Sequence, residues 1–128
     1  MKHFLILISL IYTNFCFSQT KNPEKIVQEQ LEAYNNRDID AFLATYSEAI
    51  KIYDYPNTFR YEGKEKMKTI YSELFQEYPN LFCTIKNRIV IGNKVIDEEY
   101  VQIGSEFISA VAIYEVENNK IIKVTFLR

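Results

Sequence analysis

The chain changes from helical to strand periodicity at Pro79-Asn80, and this change constrains its fold more than any other feature. Before it, apolar side chains recur three or four residues apart and predict one amphipathic helix: Met67, Ile70, Tyr71, Leu74, Phe75 and Tyr78. After it, the pattern predicts only strands, over residues 84–91, 94–103, 107–117 and 121–127. Gly92-Asn93 and Asn118-Asn119 reach positive φ readily and predict tight hairpin turns between them. The second half is therefore expected to form an antiparallel meander.

The first half carries two further helix starts and one strand. Asn22-Pro23 predicts a capped helix that ends near Asn35-Asn36, and Asp38 caps a shorter helix that we expect to extend to Tyr46. A strand is predicted over residues 50–55, with a turn at Pro56-Asn57 and an extended piece over 59–62. Helices early and strands late indicate an α+β fold, a cone-shaped, curved antiparallel sheet with three N-terminal helices packed on its concave face.

Residues 1–18 have the pattern of a signal peptide. A short basic start precedes an apolar run from Phe4 to Tyr12, and Cys16-Phe17-Ser18 offers a cleavage site. We expect a secreted or periplasmic protein whose domain covers residues 19–128, with no membrane attachment after cleavage. A lipid anchor on Cys16 is the alternative.

Removing that leader changes the chemical inventory. His3 is the only His of the sequence, so the remaining chain has no imidazole for a catalytic triad or a zinc site. Loss of Lys2 leaves 14 Lys and Arg against 17 Asp and Glu, a net charge of −3, and no basic block predicts binding to nucleic acid. No metal-ligand motif is present, and we expect neither a metal nor a cofactor. Cys83, alone in an apolar stretch, is expected to be buried as a small hydrophobic residue.

Asp54 is the candidate catalytic residue. Strand alternation that turns Ile50 and Ile52 inward also turns Asp54 inward, where apolar surroundings would raise the pKa of its carboxyl and make it a proton acceptor. Two other interpretations stay open. The carboxylate could organise the turn before Pro56, or it could form a salt bridge with Arg60 or Arg88.

Four tyrosines are the candidate ligand-binding residues, because their hydroxyls could orient a molecule inside the cone: Tyr34, Tyr46, Tyr71 and Tyr114. Ordinary core packing is the alternative for the first three. Three consecutive acids, Asp97 to Glu99, must alternate across one strand; they indicate an edge or solvated face, or else an inward Asp97 or Glu99 that acts with Asp54.

Several stretches resemble the SnoaL-like group of the nuclear transport factor two-like superfamily. The resemblance runs from Pro23 to Arg128, and its most specific parts are an Asn-x-Arg-Asp-x-Asp-x-Phe turn at residues 35–42, the hairpin "GNKVID" and the ending "AIYEVENNKIIKVTFLR". Within that superfamily, the resemblance aligns Asp54 with the general-base Asp of ketosteroid isomerase. Gln30 and Ala112 stand where that enzyme has its two oxyanion donors, a Tyr and a protonated Asp, and neither matches.

The resemblance implies three classes of function. The first is binding of a small hydrophobic or aromatic molecule in the cone pocket. The second is a cofactor-independent isomerase, hydratase or cyclase with Asp54 as general base. The third is a non-catalytic domain that forms a homodimer through the outer face of its sheet.

Overall fold

The computed structural model describes residues 21–128, so the predicted leader and its cleavage site lie outside the described residues and remain predictions. Three helices and six strands follow one another along this part of the chain: α1 (Pro23–Asn35), α2 (Ile39–Ala44), β1 (Tyr46–Asp54), β2 (Thr58–Glu62), α3 (Lys64–Glu77), β3 (Phe82–Ile91), β4 (Lys94–Ile103), β5 (Glu106–Glu117) and β6 (Lys120–Leu127). No helix within this part of the chain is both long and apolar enough to cross a bilayer.

The helix starts confirm the capping signals of the sequence. The Asn22 side chain accepts a hydrogen bond from the amide of Lys25, and the Asp38 side chain accepts one from the amide of Ala41. At the other end of α2, the Thr45 hydroxyl donates to the carbonyl of Phe42 at 2.7 Å. The prediction that this helix extends to Tyr46 is wrong, because the Thr45 carbonyl accepts instead from the amide of Ile121 and the chain enters the sheet.

The six strands form one curved sheet in the order β2-β1-β6-β5-β4-β3. Strands β3 to β6 are the predicted antiparallel meander, and its last turn holds Asn118 and Asn119 at φ values of 50° and 60°. One pairing differs from the prediction of a fully antiparallel sheet, because β1 lies parallel to β6. No turn signal joins these two strands in sequence, so only the packing of the whole chain sets their direction.

All three helices cover one face of the sheet, which confirms the α+β prediction. α1 packs against β3 to β6, and α3 packs against β1 and β2. Between the helices and the sheet lie the most completely buried apolar side chains: Val27, Phe42, Ile50, Ile52, Met67, Leu81, Val95, Ile121 and Val124. None of these nine side chains lines the cavity that the helices and the sheet enclose.

Candidate functional site

A cavity of about 280 Å³ lies between α1, α3 and the inner face of the sheet. Its lining is mostly apolar and aromatic, and it brings the four predicted tyrosines together: Tyr34, Tyr46, Tyr71 and Tyr114. Ligand pockets of roughly 300–1,000 Å³ are common, so this cavity has room for a small molecule. The structure therefore brings all four predicted side chains to one cavity. Their role in ligand binding stays a prediction.

Each element contributes to the lining through its own periodicity. On α1, Gln30 and Tyr34 are four residues apart and face the cavity together, as Ile70 and Leu74 do on α3. On β4, Glu99 and Val101 are two residues apart and point to the same side of the sheet. The cavity is thus built mainly from helix faces and one face of the sheet rather than from loops.

Three tyrosines belong to an aromatic cluster at one wall. The ring of Tyr71 lies 4.6 Å from that of Phe42, and the ring of Tyr34 lies 5.7 Å from that of Phe75, both centroid to centroid. Tyr46 also contacts Phe42, at 5.0 Å. Core packing and cavity lining are therefore not alternatives here, since the same rings do both.

Burial raises the pKa of all four phenols above its ordinary value of 10. Nearby acidic side chains and other phenols add to this effect, as Glu99 does for Tyr114. The four hydroxyls consequently stay protonated at neutral pH; Tyr114 donates its proton to Glu99, whereas the other three hydroxyls are available as donors to a ligand.

The carboxylate of the cavity belongs to Glu99. This side chain is only 8% exposed, and the Tyr114 hydroxyl donates a hydrogen bond to its Oε1 atom at 3.0 Å. Burial raises the pKa of the Glu99 carboxyl from its ordinary value of 4.5 to about 7; the bond from Tyr114 opposes that rise, and the charge of Asp97 adds to it. Glu99 can therefore exist as acid or carboxylate near neutral pH, which suits it to exchange a proton.

Asp54 is not part of the cavity lining. Its side chain is 45% exposed and lies 3.5 Å from the Nε atom of Arg60, so the prediction that it points into an apolar interior is wrong and the salt-bridge interpretation is confirmed. Alternation does keep Asp54 on the side of Ile50 and Ile52, but β1 ends there, at the edge of the fold. Whether Asp54 acts in catalysis stays a prediction.

The three consecutive acids divide as alternation requires. Asp97 and Glu99 are buried, whereas Glu98 between them is exposed. Asp97 accepts two hydrogen bonds from Arg88, from Nε at 2.7 Å and from Nη2 at 2.9 Å, and does not line the cavity. Of the two inward acids, only Glu99 faces the hollow.

Sequence reasoning named Glu99 only as a partner of Asp54 and missed Arg128. The available signal for Glu99 was its position in β4, four residues after Val95 and two before Val101, both apolar and both buried. Cys83 was predicted correctly: it is buried, it lines the cavity, and burial raises the pKa of its thiol, so it remains a neutral, unreactive group.

Comparison with known proteins places this architecture in a family. The model of the SnoaL-like domain matches residues 27–124, which is most of the chain. The chain belongs to the SnoaL-like domain family. This assignment confirms the resemblance inferred from the sequence, and the matched range contains most of α1, together with Glu99 and Tyr114.

Three similar proteins show how far the likeness of this SnoaL-like protein extends. M-zodatoxin-Lt7a of Lachesana tarabaevi is 26% identical over 97 residues, which cover 70% of this chain and 99% of the toxin. A cystatin-fold protein from Novosphingobium aromaticivorans has a TM-score of 0.79 at 24% identity, covering 85% of this chain and 100% of that one. An NTF2-like protein from Cytophaga hutchinsonii has a TM-score of 0.72 at 17% identity, covering 86% and 92%. The likeness to the Cytophaga protein establishes the nuclear transport factor two-like fold.

Proposed function

We propose that this SnoaL-like protein binds a small, mostly hydrophobic or aromatic molecule in its cavity. One observation carries the proposal: a mostly apolar hollow of about 280 Å³ whose lining includes four tyrosines and a single buried carboxyl. Ligand sites usually combine an apolar lining with a few polar groups that fix orientation. Aromatic walls from Tyr34 and Tyr71 suit a flat ring, while Glu99, held by the hydrogen bond from Tyr114, supplies an acceptor for one polar group.

Filling the cavity with a larger side chain should weaken ligand binding. Ala110 lines the hollow, whereas its neighbour Ser109 is exposed on the other face of β5. We expect 2-naphthol to bind the unaltered protein in isothermal titration calorimetry, and Ala110→Phe to weaken that binding at least tenfold, which is about 1.4 kcal/mol. Ser109→Phe adds the same ring outside the cavity and should leave the affinity unchanged. Equal affinities for both variants would place binding elsewhere on the surface.

A second candidate function is a cofactor-independent proton-transfer enzyme of the isomerase, hydratase or cyclase type. The observation that favours it is Glu99, a carboxyl with a pKa of about 7 beside a phenol donor in an apolar cavity. A general base works best when its pKa lies near the operating pH, and a neighbouring hydroxyl can polarise a carbonyl group. In this mechanism Glu99 removes a proton from carbon and returns it at another position, and a tyrosine hydroxyl stabilises the enolate oxygen.

Deuterium exchange at an acidic carbon tests this function without knowledge of the natural substrate. With 2-tetralone in deuterium oxide, we expect the protein to accelerate exchange at the carbons next to the carbonyl, followed by proton NMR. Glu99→Gln should abolish the acceleration while 2-tetralone still binds, and Asp54→Asn should have no effect. Loss of exchange in Asp54→Asn alone would instead support the base predicted from the sequence. No acceleration by the unaltered protein would leave binding as the function.

A further inference from the structure

The cavity opens to solvent at a rim formed by its three exposed lining residues, Arg60, Ile108 and Arg128. Two of the three are arginines. The opposite, buried part holds Glu99 and Tyr114. A molecule that fills the cavity thus contacts Glu99 and Tyr114 at its inner end and two guanidinium groups at its outer end.

Neither rim arginine is fully engaged within the protein. Among residues 21–128, no carboxylate lies within 4 Å of Arg128, and Arg60 has only the half-exposed Asp54, at 3.5 Å from its Nε atom. The other two arginines are used structurally. Arg37 donates to the carbonyl of Leu81 at 3.0 Å, and Arg88 forms its paired bonds with Asp97. The rim arginines therefore keep most of their donors free for a ligand.

Arg128 is held in place over the rim. Its guanidinium carbon lies 5.2 Å from the ring centroid of Phe126, which also lines the cavity. Stacking on an aromatic face leaves the planar N–H donors of arginine pointing outward from the ring edge. Its charge also lowers the pKa of Tyr34 and of Glu99, though less than burial raises them, which shows that the guanidinium acts on the cavity interior.

The sign of charge at the cavity is opposite to that of the whole chain. The chain has a formal net charge of −2, whereas two Arg against the adjacent Asp54 leave a side-chain charge of +1 at the cavity when Glu99 is protonated. A local positive field over a low-dielectric hollow attracts anions. Guanidinium groups bind carboxylates with charge-assisted, often bidentate hydrogen bonds.

We propose that the ligand is an amphipathic carboxylate, with its ring or short alkyl part in the cavity and its carboxylate at the rim on Arg60 and Arg128. This proposal rests on the proposed binding function and adds the substrate class. It assigns the two arginines as the residues that distinguish an acid from its neutral analogue.

A matched pair of probes tests the assignment. 1-Naphthylacetate and 1-naphthylacetamide have the same ring system and nearly the same shape, and only the first carries a charge. We expect the carboxylate to bind about tenfold more tightly in calorimetry at low salt, and this preference to shrink as salt is raised. Arg60→Gln and Arg128→Gln should each reduce the preference, and together they should remove it. Lys51→Gln makes the same charge change at an exposed position of β1 outside the cavity lining and should preserve it.

The possible results separate the two proposals. Equal binding of both probes to the unaltered protein would overturn the carboxylate assignment and leave the binding function intact. Tighter binding of 1-naphthyl phosphate than of the carboxylate would also overturn it, in favour of a phosphorylated ligand. Failure of every naphthyl probe to bind would overturn both proposals. A circular dichroism spectrum of each variant identifies any loss of affinity that comes from unfolding.

Discussion

At the scale of the residue, the site depends on the different surroundings of two neighbouring acids. Asp97 is 1% exposed and has the full guanidinium of Arg88 as a partner. Glu99, two residues later on the same face, has only a neutral phenol within hydrogen-bonding distance. Burial without a cation favours the protonated form of a carboxyl. The same strand face therefore carries one acid that stabilises the fold and one that is available for chemistry.

Replacing Glu99 by its neutral analogue should change how stability depends on pH. The folded-state pKa of about 7 exceeds the ordinary value of 4.5, so between these values the folded state binds more protons than the unfolded state. The stability from this group is fully present below pH 4.5 and is lost as pH rises through 7, a loss of about 3 kcal/mol. Urea unfolding at pH 4.5 and 8.5 should therefore show that Glu99→Gln gains up to this amount relative to the unaltered protein at the higher pH.

The control for that measurement is the adjacent exposed acid. Glu98→Gln makes the same substitution on the exposed outer face of β4 and should change stability much less than Glu99→Gln does at pH 8.5. If Glu99→Gln and Glu98→Gln had the same pH profile, Glu99 would be an ordinary solvated carboxylate and not a proton-exchanging group.

At the scale of the element, one ion pair connects a helix to the sheet that it covers. Arg88 on β3 bonds Asp97 on β4 and, through Nη1, the Oε1 atom of Gln28 on α1 at 2.9 Å. The Arg88 side chain is itself largely buried. This contact connects α1, which carries Gln30 and Tyr34 of the cavity lining, to the strands beneath it.

Breaking the Arg88–Asp97 ion pair should lower the free energy of unfolding. Arg88→Gln leaves the Asp97 carboxylate buried without a cation, a situation that destabilises proteins by about 3–5 kcal/mol. Chemical denaturation of the variant should show a loss in that range. Lys64→Gln, which removes the cation next to the exposed Glu48, provides the comparison and should cost less than about 1 kcal/mol. Similar losses for the two variants would contradict a special role of the buried pair.

At the scale of the whole molecule, the helix-free face of the sheet carries a continuous row of side chains. Each strand contributes one residue to this row, and each residue pairs with its neighbour on the adjacent strand: Ile89, Ile96, Ile113, Thr125, Tyr53 and Phe59. Five of these six side chains are aliphatic or aromatic, and the sixth is Thr125. The two ends of the row, Ile89 and Phe59, are more than half exposed. An exposed apolar row of this kind favours self-association, as the sequence-based proposal of a homodimer requires.

The homodimer can be tested at the middle of this row. We expect the unaltered protein to sediment as a dimer in analytical ultracentrifugation and Ile113→Glu to sediment as a monomer, because a charge would be desolvated at the interface. Thr69→Glu introduces the same charge on the exposed surface of α3, and should remain dimeric. Sedimentation of the unaltered protein as a monomer would contradict the homodimer and leave the proposals about the cavity unchanged.

The sequence by itself determined the elements and the aromatic wall. Caps at Asn22 and Asp38 and turns such as Asn118-Asn119 act over a few residues, so their signals can be read locally. Helical spacing likewise placed Tyr34 on the apolar face of the first helix and Tyr71 on that of the third, because each face follows from the geometry of a single helix.

Only the tertiary structure decided which acidic side chain lines the cavity and which arginines lie at its rim. Alternation states that Asp54 shares a face with Ile52 and that Glu99 shares a face with Val101, but not how deep along that face each position lies. Depth depends on where β1 ends and on its parallel pairing with β6, which also brings Arg128 to the rim. These are contacts between distant parts of the chain, and no local pattern encodes them.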